Sequence, residues 1–317
     1  MKVRVKNAGA TNAKLRILET EQPNSASTDF DCRSSLEIAR IINLEDSRVA
    51  GAIKRSLPQI AQVIDWTAAA LAQGGRLIYV GTGTSGRIAA LDATECPPTF
   101  DTDPKMVQFI IAGGTKALAE ASEASEDSRK LGRLAMSKKK PRKNDVVVGV
   151  AASGRTPFTI AAIEYARSQG SRTVAVVCNH HSPLQKAADI GIVAEVGPEV
   201  VAGSTRMKAG TAQKMILNTL TTGAMTRLGY VYGNLMVNLH LKNEKLTERG
   251  ITILEQAARL DRGKARRFLK MAHNSVPVAL VMAKAGVTRA RAKQLLEEAR
   301  SHVRRAITIG MARKGAS

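Results

Sequence analysis

Arg76-Leu77-Ile78-Tyr79-Val80-Gly81-Thr82-Gly83-Thr84-Ser85-Gly86 is an apolar run of strand length that empties into a loop of glycines and hydroxyls. Four more such runs follow, at 107–112, 146–150, 173–178 and 190–195, with helical stretches such as 157–169 between them. Strands that alternate with helices form a parallel sheet covered on both faces. Ahead of the first strand, residues 34–74 read as helices. Ser34 and Ser35 can cap the first, Asp46 or Ser47 stands at the next start, and Gly74-Gly75 is the stop. Beyond about residue 204 the pattern turns all-helical. Residues 275–310 read as a small bundle, with a start at Ser275, a turn at Gly286-Val287-Thr288 and a helix from Arg289 to Arg300.

A chain of 317 residues can hold one large α/β domain and a smaller helical one. Hydrophobic residues make up 44%, which excludes a disordered chain, and aromatics only 3%, which calls for an aliphatic core and argues against base-stacking surfaces. Cys32, Cys96 and Cys178 are far apart and form no metal motif, as a reduced compartment permits. The basic N-terminus lacks the apolar run of a secretory signal, and no stretch reaches the roughly 20 apolar residues of a membrane helix. A cytoplasmic protein with no membrane partner is expected. The net charge of +21 would steer anions. Its densest run, Lys138-Lys139-Lys140-Pro141-Arg142-Lys143, reads as a solvated loop between helix and strand, and the charge alone names no partner.

Ligands of such sheets collect at the carboxyl ends of the strands, where strand order reverses. Gly81 to Gly86 formally satisfies GxGxxG, but the next strand ends in Ile111-Ala112-Gly113-Gly114, with no acid to bind a ribose hydroxyl. A dinucleotide is therefore set aside. A second strand ends in Ala152-Ser153-Gly154-Arg155-Thr156-Pro157, and a third hydroxyl cluster, Gly203-Ser204-Thr205-Arg206-Met207-Lys208, opens a helix. Helix N-termini offer free N–H groups and a favourable dipole to an anion, and the hydroxyls add adjustable donors. Each loop alone also looks like an ordinary N-cap. Three of them in one α/β domain point to a phosphorylated small molecule. Its expected contacts are Thr84, Ser85, Gly86, Ser153, Gly154, Arg155, Thr156, Ser204, Thr205 and Lys208.

Two acids stand near these loops in sequence. Glu95 precedes Cys96-Pro97-Pro98, where a helix end is expected to hold it near the first loop. Glu126 lies in Ser122-Glu123-Ala124-Ser125-Glu126-Asp127. Either residue also fits an ordinary solvated position on a helix. Cys96 lacks a neighbouring histidine that would make it a nucleophile, and the loop pair His180-His181 reads as surface.

The blocks GTGTSGRIAALDATECPPTF, IAGG, ASEDS, DVVVGVAASGRTPF, GPEVVAGSTRMKAGTAQK and VYGNLMVNLHLKNEKL resemble the N-acetylmuramic acid 6-phosphate etherase family over about residues 18–310. Members are similar to sugar isomerase (SIS) domains and to glucokinase regulatory protein. The resemblance implies a three-layer α/β/α domain with a flavodoxin-like, five-stranded parallel sheet. It also implies a homodimer, no metal and no organic cofactor. By motif, Glu95 matches the acid–base glutamate of ECPPT and Glu126 the second active-site glutamate. The resemblance also implies that Asn243-Glu244-Lys245 reach the partner's active site, whereas read alone they equally fit an ordinary helix-surface pairing. The implied reaction removes the D-lactyl ether of N-acetylmuramic acid 6-phosphate, as in recycling of wall amino sugars. The expected organisation is a basic extension at 1–17, an SIS domain with its helical N-terminal region at 18–260, and a C-terminal helical subdomain at 261–317. The alternative is a non-catalytic phosphosugar sensor, which would share the loops but need not keep both glutamates. A DNA-binding regulator would carry a helix-turn-helix ahead of the sugar domain, and residues 34–74 lack a recognition face, so no specific nucleic acid is expected.

Overall fold

In the computed structural model the apolar runs are strands β1 (Leu77–Gly81), β2 (Val107–Ile111), β3 (Val146–Val150), β4 (Arg172–Val177) and β5 (Ile190–Val193). Residues 18–120, 125–239, 241 and 243–314 are described. The N-terminal extension 1–17, Ser122 to Ala124, His240 and Lys242 lie outside them.

All five strands pair in parallel, in the order β2-β1-β3-β4-β5. This is the expected flavodoxin-like order, and it reverses between β1 and β3. β1 and β3 are buried at every position, which is why they are continuous apolar runs rather than alternating ones. Ile78, Val80 and Val147 turn one way, onto Met136, Phe158 and Ile163. Tyr79 turns the other way, and its hydroxyl donates to Asp92 at 2.8 Å. Apart from Tyr79, Phe100 and Phe158, the buried hydrophobic side chains among the described residues are not aromatic, as the composition predicts.

The helices begin and end for local reasons. Ser34 caps α1 (Ser35–Asp46) in a capping box with Glu37. After the short α2 (Val49–Lys54), α3 (Leu57–Ala72) buries Ile60, Val63, Thr67 and Leu71 at three- and four-residue spacing. Gly74 then turns the chain at φ 71°. Next come α4 (Gly83–Phe100), α5 (Arg129–Lys139), α6 (Pro157–Ser168), α7 (Pro183–Ala187) and the long α8 (Lys208–Arg227).

The basic run after α5 is less free than expected. Arg76 donates to the carbonyls of Lys139 and Lys140 and pairs with the buried Asp145 at 2.5 Å. Lys139 reaches Gln108 at 2.9 Å, and burial together with the nearby Arg76 charge pulls its pKa down.

By contact the chain forms two compact units. One takes the described residues up to Ala93 with Val107–Leu220, and the other Thr94–Met106 with the residues from Thr221 onward. The expected boundary at 260/261 falls inside the second unit. That unit holds a two-stranded hairpin, β6 (Val231–Tyr232) and β7 (Leu235–Met236), which the helical pattern beyond 204 did not foretell. Five helices follow: α9 (Glu244–Ala258), α10 (Arg262–Met271), α11 (Val276–Ala285), α12 (Arg289–Glu298) and α13 (Val303–Lys314). They pack around Leu254, Leu269, Leu280, Leu295 and Ile307. Gly286, at φ 66°, ends α11 where the turn is expected.

One close approach tests the layer on the α5/α6 face. A Cβ added to Gly132 of α5 would lie 2.0 Å from the Phe158 carbonyl oxygen of α6. Backbone cannot swing aside as a side chain can. Gly132→Ala is expected to lower stability toward the upper end of about 1–3 kcal/mol, read from the midpoint of urea unfolding.

Candidate active site

The point where strand order reverses lies between the ends of β1 and β3, and the first two hydroxyl loops leave from those two strands. At the end of β1 the chain turns directly into α4, with the Gly86 N–H donating to the Thr82 carbonyl at 3.0 Å. A Cβ on Gly86 would meet Ile111 Cγ1 of β2 at 2.6 Å and the Gly81 carbonyl oxygen at 3.0 Å. This first turn of α4 is therefore pressed onto the sheet end, with Thr84 and Ser85 partly exposed on it. The earliest N–H groups of α4 have no acceptor within the helix, and the dipole adds a positive field.

Beyond β3, the Ser153 hydroxyl accepts from the Arg155 N–H at 3.2 Å. The buried Gly154 is fixed at both backbone atoms. Its N–H donates to Ala151, and its carbonyl accepts from Leu184 at 2.9 Å. The Arg155 Nε is buried and meets no acceptor among the described residues. An arginine with an unpaired Nε and a serine two residues before it, at the start of α6, fit an anionic ligand.

Glu126 belongs to this second loop. Its carboxylate accepts from the buried Thr156 hydroxyl at 3.1 Å, and its carbonyl accepts from the Phe158 N–H at 3.0 Å. A residue 30 positions away in sequence is thus held at the carboxyl end of β3. The reading as a free solvated helix residue does not hold, because Glu126 sits in a turn before α5.

The third loop packs against the first. A Cβ on Gly210 would lie 3.6 Å from both Thr84 Cγ2 and the Thr205 carbonyl oxygen. Ser204 and Thr205 are part-exposed here. The helix start behind them is already occupied. The buried Glu199 carboxylate accepts from the N–H groups of Lys208 and Ala209, both at 3.0 Å. Lys208, only 2% exposed, pairs through its Nζ with Glu45 Oε2 at 2.5 Å. The expected substrate lysine is therefore held inside the protein. Glu45, itself 1% exposed, also accepts from Asn24 at 2.8 Å and meets Arg48 at 2.7 Å. Asn24 donates to the Pro198 carbonyl too, and Thr20 is bonded by Asn179 and by the Gly203 N–H. Residues 20–24 thus strap the third loop, a role that sequence reading missed. A signal was present in Glu45 and Lys208, two charges on otherwise apolar helix faces.

Glu95 departs from expectation. No helix end falls before Pro97; α4 continues through Pro97 and Pro98 to Phe100. The two prolines cannot donate to the carbonyls four residues back, yet the Asp101 N–H still closes a bond to the Pro97 carbonyl at 2.9 Å. Glu95 lies on an interior turn, exposed, in the segment that clusters with the second unit. Cys96 is buried. His180 is a half-exposed partner of Glu195 at 3.3 Å, as a surface histidine should be. Among the described residues there is no group of three acids, histidines or cysteines with metal-ligand spacing, and no helix is long and apolar enough to cross a membrane.

Burial pushes the Glu45 carboxyl up, but the bonds from Lys208 and Asn24 outweigh it, so its pKa lies below the ordinary 4.5. Glu199 moves the other way, because burial prevails over its two backbone donors. The ionised Glu45 thus stabilises the fold above its ordinary pKa, and that contribution fades as pH falls through its folded-state pKa. Glu45→Gln is expected to cost about 3–5 kcal/mol at pH 7. The deficit against wild type should shrink on acidification, in urea unfolding at pH 7 and at about pH 4.

Residues 59–167 match the model of the glucokinase regulatory protein N-terminal SIS domain. N-acetylmuramic acid 6-phosphate etherase 1 of Enterococcus faecalis is 48% identical over 284 residues, covering 90% of this chain and 95% of that one. The Klebsiella aerogenes enzyme of the same name is 48% identical over 294 residues, covering 93% and 98%. That of Edwardsiella ictaluri is 49% identical over 298 residues, covering 92% and 98%. Among solved structures, a phosphoheptose isomerase from Francisella tularensis is similar at 15% identity and a TM-score of 0.46, over 61% of this chain and all of that one.

Proposed function

The chain belongs to the N-acetylmuramic acid 6-phosphate etherase family, and from that membership we propose how its residues carry the reaction. The protein is an etherase that splits the D-lactyl ether of N-acetylmuramic acid 6-phosphate, giving N-acetylglucosamine 6-phosphate and D-lactate. One observation carries this reading: near-half identity to etherases over nine-tenths of the chain. A non-catalytic sensor would need only the loops.

The phosphate is assigned to the first two loops. There the N–H groups of α4, the hydroxyls of Thr84, Ser85 and Ser153, and the Arg155 guanidinium supply donors and positive charge, with Gly86 letting the first turn press onto the sheet end and Gly154 letting the second loop close against Ser182. Thr156 is spent on Glu126 and acts by orienting it. Ser204 and Thr205 are assigned to the sugar. Lys208, tied to Glu45, holds their loop rather than touching the phosphate.

In the open-chain sugar the C2 proton is alpha to the aldehyde carbonyl. Glu126, held through Thr156, removes it. The electron pair left at C2 expels the C3 ether oxygen, which takes a proton from Glu95 and departs as D-lactate. Water, deprotonated by Glu95, then adds at C3 of the unsaturated aldehyde. C2 is reprotonated, which closes the balance. A homodimer, with Asn243-Glu244-Lys245 reaching toward the partner, and a cytoplasmic place in amino-sugar recycling belong to the same reading.

The decisive assay is D-lactate release from N-acetylmuramic acid 6-phosphate in the presence of EDTA. Glu95→Gln and Glu126→Gln are each expected to lower kcat about 10²–10⁴-fold. Near-wild-type turnover of either would remove that residue from the mechanism. Replacing Ser85 and Ser153 together with Ala should raise KM at least about tenfold, and an unchanged KM would place the phosphate elsewhere.

A further inference from the structure

We propose that Gln213 is a specificity-determining residue, whose side-chain amide reads the acetamido group on C2 of the sugar. The inference rests on the etherase reading and adds a contact that none of the hydroxyl loops supplies.

Gln213 is 1% exposed, and neither its Nε2 nor its Oε1 has a hydrogen-bond partner among the described residues. A primary amide carries two donors and an acceptor, and nearly all buried polar groups are paired. Both ends of one buried amide standing idle in the ligand-free protein is the mark of a group whose partner arrives from outside.

Its place in the fold says where that partner binds. The Asn218 amide of α8 donates to Asp92 of α4 at 2.6 Å, and a Cβ on Gly210 would lie 3.4 Å from Ile88 and 3.6 Å from Thr84. Contacts advance from Thr84 to Asp92 as they advance from Gly210 to Asn218, so the two helices run side by side in one direction. Residues three apart are neighbours on a helix, and side chains lean toward the N-terminus. Gln213 is therefore the helical neighbour of Gly210, buried one turn on from where Thr84 of the first loop approaches α8.

The chemistry selects one part of the ligand. A phosphate or a lactyl carboxylate calls for positive charge, which Arg155 offers and Gln213 does not. A neutral amide one turn from Gly210, which itself lies against Ile88, suits a neutral polar group with an apolar tip. The acetamido group is that, and Gln213 can donate to its carbonyl or accept from its N–H.

The test compares binding of N-acetylglucosamine 6-phosphate and glucose 6-phosphate, by calorimetry, in wild type and Gln213→Met. Wild type should prefer the acetamido sugar by about 10²-fold or more. Gln213→Met should cut that preference at least about tenfold and, by removing an idle buried amide, should raise the Tm of the free protein. Gln213→Leu repeats the comparison with a shorter side chain, should methionine overpack the site. An intact preference in both variants overturns the assignment, whether Tm rises, as for an amide bound to buried water, or falls, as for a structural one. Lactate release by wild type is followed in parallel. Its absence defeats the etherase reading and this proposal with it, whereas its presence with an intact preference defeats this proposal alone.

Discussion

Most of what this protein offers a ligand depends on how closely the first turn of α4 can press against the ends of β1 and β2. Gly86 allows that approach, because any side chain there would have to displace Ile111. With the turn in place, free N–H groups stand over the point where strand order reverses. The other loops take their positions from it: the second through β1–β3 pairing, and the third through the contact of Gly210 with Thr84. A parallel sheet leaves its carboxyl edge to loops, and here those loops are short and lie close to one another.

A second layer of organisation is electrostatic and lies out of sight of solvent. Glu45, Lys208 and Asn24 form a buried polar knot beneath the third loop, with Glu199 closing the start of α8 beside it. Such groups cost free energy to desolvate, so the intact set holds one arrangement and the loss of a single member leaves a buried charge unpaired. They also spend the lysine and helix start that a sequence reading would offer to the substrate. That leaves the starts of α4 and α6 as the helix ends not closed by a buried carboxylate of this knot.

How much of this was legible depended on the range of the interaction. The five strands could be read because burial on both faces makes each an unbroken apolar run, and the caps at Ser34 and Gly286 because they are local. The loops and both glutamates were found by motif. What escaped was non-local or context-bound. A lone charge on an apolar helix face marks Lys208 as buried, but it does not say that its partner is Glu45, 163 residues away. Pro97-Pro98 reads as a stop by propensity, yet α4 runs through it. The bond from the Thr156 hydroxyl to Glu126 spans 30 residues and has no local signature. The hairpin at 231–236 has two residues per strand, too few for a periodicity to show.

The strap has a consequence for synthesis. Glu45 leaves the ribosome 163 residues ahead of Lys208, and Thr20 emerges 159 residues ahead of Asn179. At translation rates of about 5–20 residues per second, the early segment waits roughly 10–30 s for its partners. During that interval its apolar positions, Leu18 among them, have no native surface to cover them. The last strands of the sheet and the start of α8 must form before the beginning of the chain can dock. Native closure of this domain is therefore a late step that runs from the middle of the chain back toward its start.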